Sequence, residues 1–260
     1  MEFKNLIFTI EGGVATITFN RPKALNAMNS ESLRELFEAV CICENDAAVK
    51  AVVLTGSGDK AFVAGADISE MAPLKPQEAM RFMELGHKTL RTLELMPKPS
   101  IAAVNGYALG GGTEISMACD MRFASETARF GQPEILIGII PGWGGTQRMS
   151  RLIGTGLAKE FIMGGDQIDA RRAFEIGLVN RVYPPDKLME ETMKFAGKLT
   201  TLPAFTLKMA KQAINFGYDL ALDNANRLEI ECCSQCFSTE DQKEGMKAFV
   251  EKRKPVYKGC

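Results

Sequence analysis

Histidine is almost missing from this 260-residue chain: His87 is the only one. One imidazole cannot build a multi-histidine metal site, and no serine and acid accompany it in the manner of a nucleophilic triad. It falls in the middle of a helical pattern, where a surface or packing role suits it. Net charge is nearly missing too, at −1 from 31 basic and 32 acidic side chains. That argues against nucleic acid as the main partner, since such proteins carry a basic surplus. No apolar run reaches the ~18 residues that a membrane span requires, so no membrane partner is expected. The N-terminus, Met1-Glu2-Phe3-Lys4-Asn5, lacks a basic region followed by an apolar core. No secretory leader is expected, and the cytoplasm is the expected compartment. The seven cysteines are odd in number and irregular in spacing, unlike a disulfide framework. Cys232, Cys233 and Cys236 lack the second ligand cluster of a zinc site, and Cys119 sits in an apolar run as a core residue would. No metal site is expected. Linker-like Gly/Ser runs, low-complexity segments and strict repeats are absent as well.

What is present is ample apolar material: 46% of residues are hydrophobic and 24% charged, enough for a sizeable core. Residues 7–10 and 14–19 flank Glu11-Gly12-Gly13 and predict a hairpin. Asn29 or Ser30 caps a helix whose Leu33, Leu36, Phe37 and Val40 share one face. Residues 51–56 and 101–104 predict buried strands, and 62–68 a strand that breaks at small residues. Residues 77–95 predict a helix stopped by Pro97 and Pro99. Beyond residue 147 the pattern is helical over 156–163, 170–176, 186–199, 204–216, 219–236 and 239–252, with a short strand near 179–182. The expected class is α/β, with a core over residues 1–199 and a helical region over 200–260.

Residues 105–147 concentrate the candidate chemistry. Gly110-Gly111-Gly112 follows a strand and precedes a helical run. Glycine lets a ligand approach the backbone, and the first N–H groups of a helix are unpaired donors at its positive end. The Lys-Ser/Thr ending of a P-loop and the Gly-x-Gly-x-x-Gly spacing of a dinucleotide site are both lacking. The glycines alone leave two readings open, a tight strand-to-helix turn or a backbone anion site. Ala64-Gly65-Ala66-Asp67 is a second turn of small residues. Two N–H groups from two loops would form an oxyanion hole for a carbonyl that becomes an enolate. Glu114 lies just inside the helix, where the dipole alone favours an acid. Glu134 follows Pro133 and precedes the apolar stretch 135–140. In a dry pocket its pKa should rise, as suits a general acid, and two carboxyl groups in different surroundings can divide acid and base roles.

Several of these segments together resemble the crotonase superfamily, and within it the short-chain enoyl-CoA hydratases. They are Asn20-Arg21-Pro22-Lys23-Ala24-Leu25-Asn26, Ala64-Gly65-Ala66-Asp67-Ile68, Asn105-Gly106-Tyr107-Ala108-Leu109-Gly110-Gly111-Gly112, Phe130-Gly131-Gln132-Pro133-Glu134, Gly144-Gly145-Thr146-Gln147-Arg148, Phe237-Ser238-Thr239-Glu240-Asp241 and Gly245-Met246-Lys247-Ala248-Phe249. The resemblance implies repeated ββα units wound into a spiral, with C-terminal helices that mediate trimerisation into a trimer or dimer of trimers. It implies an acyl-CoA thioester substrate and no cofactor, coenzyme A being part of that substrate. It implies oxyanion donors at Ala66 and Gly111, catalytic glutamates at Glu114 and Glu134, and a water-positioning N–H at Gly142. Lys23, Ala24, Leu25, Ala64, Asp67 and Ile68 match positions around coenzyme A. Phe249 and Lys252 match a C-terminal pair that reaches a CoA, often a neighbouring subunit's. Met71, Phe82, Met83, Ile137, Ile139 and Trp143 are candidates for the acyl pocket. Trp143 stands where relatives often carry a smaller residue; it either narrows that pocket or packs away from it. Having both glutamates favours a hydratase over an isomerase. A hydratase of a cyclic dienoyl-CoA and a non-catalytic binding homologue are the alternatives.

Overall fold

Gly12 and Gly13 make the first reversal of the chain. Both take left-handed backbone, φ 56° and 82°, which a two-residue hairpin turn requires and glycine adopts without steric cost. They join β1 (Leu6–Glu11) to β2 (Val14–Phe19) in antiparallel register, with Glu11 opposite Val14. This computed structural model describes residues 3–259. Asn29 accepts a hydrogen bond from the Ser32 N–H and so caps α1 (Ser30–Asn45), which buries Leu33, Leu36, Ala39, Val40 and Cys43 along one stripe.

Three strand–strand–helix units follow. The first is β3 (Ala51–Gly56), β4 (Ala61–Ala64), the short α2 (Ile68–Met71) and the long α3 (Pro76–Leu95). The second is β5 (Ser100–Val104), β6 (Tyr107–Leu109) and α4 (Gly111–Ala118). The third is β7 (Met121–Ser125), β8 (Arg129–Gly131), a 3-10 turn over Pro133–Ile137, α5 (Gly145–Ile153) and α6 (Thr155–Gly164). Then come β9 (Gln167–Asp169), α7 (Ala170–Glu175), β10 (Arg181–Tyr183), α8 (Leu188–Thr200), α9 (Ala204–Gly217), α10 (Leu222–Cys236) and α11 (Glu240–Val250).

Each unit gives its first strand to a six-stranded sheet, ordered β1-β2-β3-β5-β7-β10, and its second to a four-stranded sheet, ordered β4-β6-β8-β9. β3, β5 and β7 run parallel in one sheet, and β4, β6 and β8 run parallel in the other. The chain therefore advances one strand along both sheets per unit, which is the expected spiral of ββα repeats. The central strands are apolar on both faces because both faces are covered. Ala51, Val53, Ile101 and Ala103 pack with Leu188, Ala196 and Leu199 of α8, whereas Val52, Leu54, Ala102 and Val104 point into the main core.

Gly112 shows how tightly the second unit crosses the first. A Cβ there would stand 1.9 Å from the Val63 carbonyl oxygen of β4, a backbone atom with nowhere to go. Gly112→Ala is expected to destabilise the fold by about 3 kcal/mol, the upper range for overpacking, read as a lowered thermal midpoint.

The C-terminal helices are attached unevenly. Lys211 of α9 donates to Asp120 Oδ2 at 2.9 Å and to the Lys98 carbonyl at 3.1 Å, and Asn215 donates to the Glu94 carbonyl. By contrast α10 buries only Cys232, and α11 only Asp241 and Ala248. Leu222, Ile230, Met246, Phe249 and Val250 are exposed on them. Among the described residues, no helix is long and apolar enough to cross a membrane.

Candidate active site

β6 enters α4 through Gly110, whose φ of 50° and ψ of −121° are open essentially to glycine alone. A Cβ at Gly110 would also stand 2.7 Å from Glu134 Oε1, so the missing side chain lets that carboxylate approach. Gly111 opens α4, and its N–H meets no acceptor among the described residues. Ala66 lies in the loop after β4. Its neighbours are tied to Met28, with Met28 N–H donating to the Gly65 carbonyl and Asp67 N–H to the Met28 carbonyl, while the Ala66 N–H is unpaired. Ala66 and Gly111 both line one cavity of about 300 Å³, together with Glu114, Glu134, Gly142 and Trp143. Two residues with unpaired N–H groups, one in the loop after β4 and one at the start of α4, thus line one cavity.

Glu114 sits in the second half of the first turn of α4 and is 2% exposed. Its Oε1 accepts from the Trp143 N–H at 2.7 Å and the Gly145 N–H at 2.6 Å, both from the 141–145 turn. Burial pushes its pKa up to about 7, although those two hydrogen bonds and the charge of Arg148 oppose the rise. Glu134 is carried by the 3-10 turn after β8. Its pKa is also raised to about 7, first by burial and then by the charge of Glu114. The two carboxyl groups are therefore coupled, and the titration near neutral pH belongs to the pair. Fully buried Gln132, with its NH₂ turned to the carboxylate, donates to Glu134 Oε1 and Oε2 at 3.0 and 3.1 Å. Gln132 belongs to the segment 130–134 that carries the family resemblance, but nothing in the sequence marks its amide as the partner of Glu134.

Residues 9–260 match the family described as enoyl-CoA hydratase/isomerase. The chain belongs to that family. It is 54% identical over 254 residues to a short-chain-enoyl-CoA hydratase of Clostridium acetobutylicum, covering 98% of this chain and 97% of the relative. It is 48% identical to a crotonyl-CoA hydratase of Syntrophomonas wolfei, covering 98% of each. An enoyl-CoA hydratase structure from Bacillus anthracis superposes with a TM-score of 0.96 at 40% identity, covering 99% of this chain and all of that one. The ββα spiral is therefore the enoyl-CoA hydratase/isomerase fold.

The other positions taken from the family resemblance fall into groups. Ala64 and Ile68 line the cavity. Lys23 and Ala24 lie exposed on a 3-10 turn (Pro22–Ala24), and the Leu25 carbonyl accepts from the Ala64 N–H, which sets this turn beside the end of β4. The Asp67 side chain points instead into a brace. It accepts from Ser69 N–H and Oγ and from Arg21 Nη2, and these partners hold its carboxyl below the usual range. Arg21 and the buried Asn26, whose amide donates to the Ser57 and Ala61 carbonyls, fasten this region and were not singled out from sequence. Phe249 is exposed in the last turn of α11, Lys252 is exposed two residues beyond that helix, and neither lines the cavity.

Gly142 lines the cavity, and its N–H has no acceptor among the described residues. Met71, Met83, Ile137, Ile139 and Trp143 line it as well, with Leu136 and Ile140 added at the exposed apolar rim. Phe82 does not line the cavity; it stands behind Trp143, with ring centroids 5.5 Å apart. Trp143 both packs and lines. Its indole is wedged between Gly86 of α3 and Gly111, where added Cβ atoms would come within 2.1 and 2.3 Å of it.

Proposed function

We infer that this chain is an enoyl-CoA hydratase, adding water reversibly and syn across a trans-2-enoyl-CoA to give the 3-hydroxyacyl-CoA, with short acyl chains preferred. One observation carries the reading: two carboxyl groups with pKa values near 7 share a cavity with two unpaired backbone N–H groups. In hydration, negative charge builds on the thioester oxygen, and the N–H groups of Ala66 and Gly111 receive it. One comparable donor is worth ~2.7–4 kcal/mol in an acyl-transfer enzyme. Glu114, ionised, takes a proton from the water that attacks C3, and Gly142 N–H helps hold that water. Glu134, protonated, supplies the proton to C2. Dehydration runs the same path backwards. Isomerisation of a double bond needs only a proton shuttle, so the presence of both carboxyl groups favours hydration.

Trp143 and Met83 support the short-chain preference, as do the names of the Clostridium and Syntrophomonas relatives. Lys23, Ala24, Leu25, Ala64, Asp67 and Ile68 are the positions proposed to surround coenzyme A. The exposed apolar side chains of α10 and α11 support a homo-oligomer built through residues 200–260, with Phe249 and Lys252 reaching a neighbouring subunit's CoA. The cytoplasm is the proposed compartment.

The test is hydration of enoyl-CoA esters of increasing length, followed by loss of absorbance of the conjugated thioester. A four-carbon crotonyl ester should be turned over with kcat/KM at least about tenfold above a twelve-carbon ester. Equal efficiency would remove the chain-length assignment, and no absorbance loss with any ester would remove the activity.

A further inference from the structure

The turn that grips Glu114 is itself gripped from behind. Its three central peptide units divide the work: the first supplies the Trp143 N–H and the third the Gly145 N–H, both donated to Glu114 Oε1. The middle unit carries the Trp143 carbonyl, which accepts from Arg148 Nη1 at 2.8 Å. Arg148 lies one turn into α5, and its own N–H donates to the Gly144 carbonyl at 2.8 Å. The rest of its guanidinium is held by Glu94 of α3, with Nη2 at 3.0 Å from Oε2 and Nε at 3.4 Å from Oε1. Arg91 also donates to Glu94 Oε2, at 2.8 Å. Gly144, at φ 103°, makes room, because a Cβ there would stand 2.4 Å from Arg148 Nη1. Arg148 is 13% exposed, so little water competes for these bonds.

We propose that Arg148, held by Glu94, is a positioning residue that fixes the middle peptide of the 141–145 turn and thereby aims the flanking N–H groups at Glu114. This rests on the reading of Glu114 as the base. A planar guanidinium suits the task because it can address a carbonyl and a carboxylate at once in fixed directions, which an ammonium cannot. Its charge acts in the same sense as its geometry: both favour ionised Glu114. The charged or titratable groups that face Glu114 are Glu134 from the 3-10 turn and Arg148 from α5. Behind Arg148 stand Glu94 and Arg91 of α3, and His87 of the same helix borders Gly144.

Removing Arg148 takes away a positive charge and frees the peptide between the two donors, so Glu114 holds its proton to higher pH. A base must be ionised to work, so the acidic limb of kcat/KM moves to higher pH.

The experiment uses the full-length chain with Arg148→Met, Arg148→Lys and Glu94→Gln, and crotonyl-CoA hydration measured between about pH 5 and 9. Arg148→Met is expected to lower kcat by about 10–100-fold with KM changed by less than about threefold, because the water is misplaced rather than the thioester. Its acidic limb should move up by about one pH unit. Arg148→Lys restores the charge without the fork and should bring back most of the limb position but not the full kcat. Glu94→Gln keeps the arginine and loosens it but also removes a negative charge, so its kcat should fall between wild type and Arg148→Met while its limb moves less than that of Arg148→Met. A limb that stays in place in Arg148→Met, or an unchanged kcat in Glu94→Gln, overturns the proposal, whatever happens to the thermal midpoint. Should Arg148→Met fail to fold, the other two variants decide. Glu114→Gln separates the two ideas: full activity in it removes the base assignment, whereas an inactive Glu114→Gln beside an unmoved Arg148→Met limb removes only the clamp.

Discussion

Glu114→Gln and Glu134→Gln are each expected to lower kcat for hydration by about 10²–10⁴-fold, the range that a positioned acid or base supplies. Glutamine keeps the volume and a hydrogen-bonding oxygen, so the Trp143 and Gly145 N–H groups still find an acceptor at position 114. The loss should therefore fall on kcat and leave KM for crotonyl-CoA nearly unchanged. The wild-type pH profile should be bell-shaped and centred near neutrality, since Glu114 must be ionised while Glu134 keeps its proton and both titrate at about 7. In Glu114→Gln, Glu134 loses the like charge that helps hold its proton, so its pKa should fall toward what burial and its remaining hydrogen bonds set. Stability should respond in the opposite sense to activity. Each carboxyl is raised from 4.5 to about 7 in the folded state. The native protein thus holds protons that the unfolded chain releases in that interval, and stability declines as pH rises from 4.5 to about 7. Either glutamine variant should show a higher thermal midpoint than wild type at pH 8 and none of that advantage at pH 4. Near-normal hydration in either variant would overturn the roles assigned to the two glutamates.

How much of this could be read from sequence depended on distance along the chain. Gly12-Gly13, the apolar strands 51–56 and 101–104, and a helix cap at Asn29 or Ser30 were legible because each is a local pattern with a local cause. The strands β6, β8 and β9 were not, because three residues are too few to display alternation; only the pairing with one another makes them strands. Gly110-Gly111-Gly112 announced a close approach but not to what. The second donor, Ala66, comes from a loop that only the two-sheet spiral brings alongside. The braces were invisible for the same reason. Asp67 looks like one more residue of a small-residue turn until Arg21, 46 positions earlier, is seen beside it. Arg148 and Glu94 are 54 positions apart, on helices whose packing no periodicity announces. Trp143 was legible as an oddity but not as a position. Its place became clear only once Gly86, an otherwise unexplained glycine inside a twenty-residue helix, was found beneath it.

That pairing leads to the second large effect. Trp143→Ala removes a side chain that is 1% exposed and wedged against two glycines. Truncating a buried tryptophan costs about 3–5 kcal/mol, less where the space left behind can fill. Here the vacated volume joins a cavity of about 300 Å³ and admits water or a longer acyl chain. The backbone N–H of residue 143 is kept, so Glu114 retains its donor and crotonyl-CoA should still be hydrated. Each methylene newly accommodated is worth up to about 0.8 kcal/mol, so a few of them should raise the kcat/KM ratio of twelve-carbon to four-carbon ester by about 10²-fold. Gly86 supplies the control. Gly86→Ala alone drives a Cβ to within 2.1 Å of the indole and should destabilise the protein. In the Trp143→Ala background that clash is gone and alanine is the better helix former by about 1 kcal/mol, so the same change should become neutral or stabilising. The two substitutions are thus expected to be strongly non-additive in thermal midpoint. Additive effects would mean that the indole does not rest on α3, and an unchanged chain-length ratio in Trp143→Ala would mean that it does not bound the acyl chain.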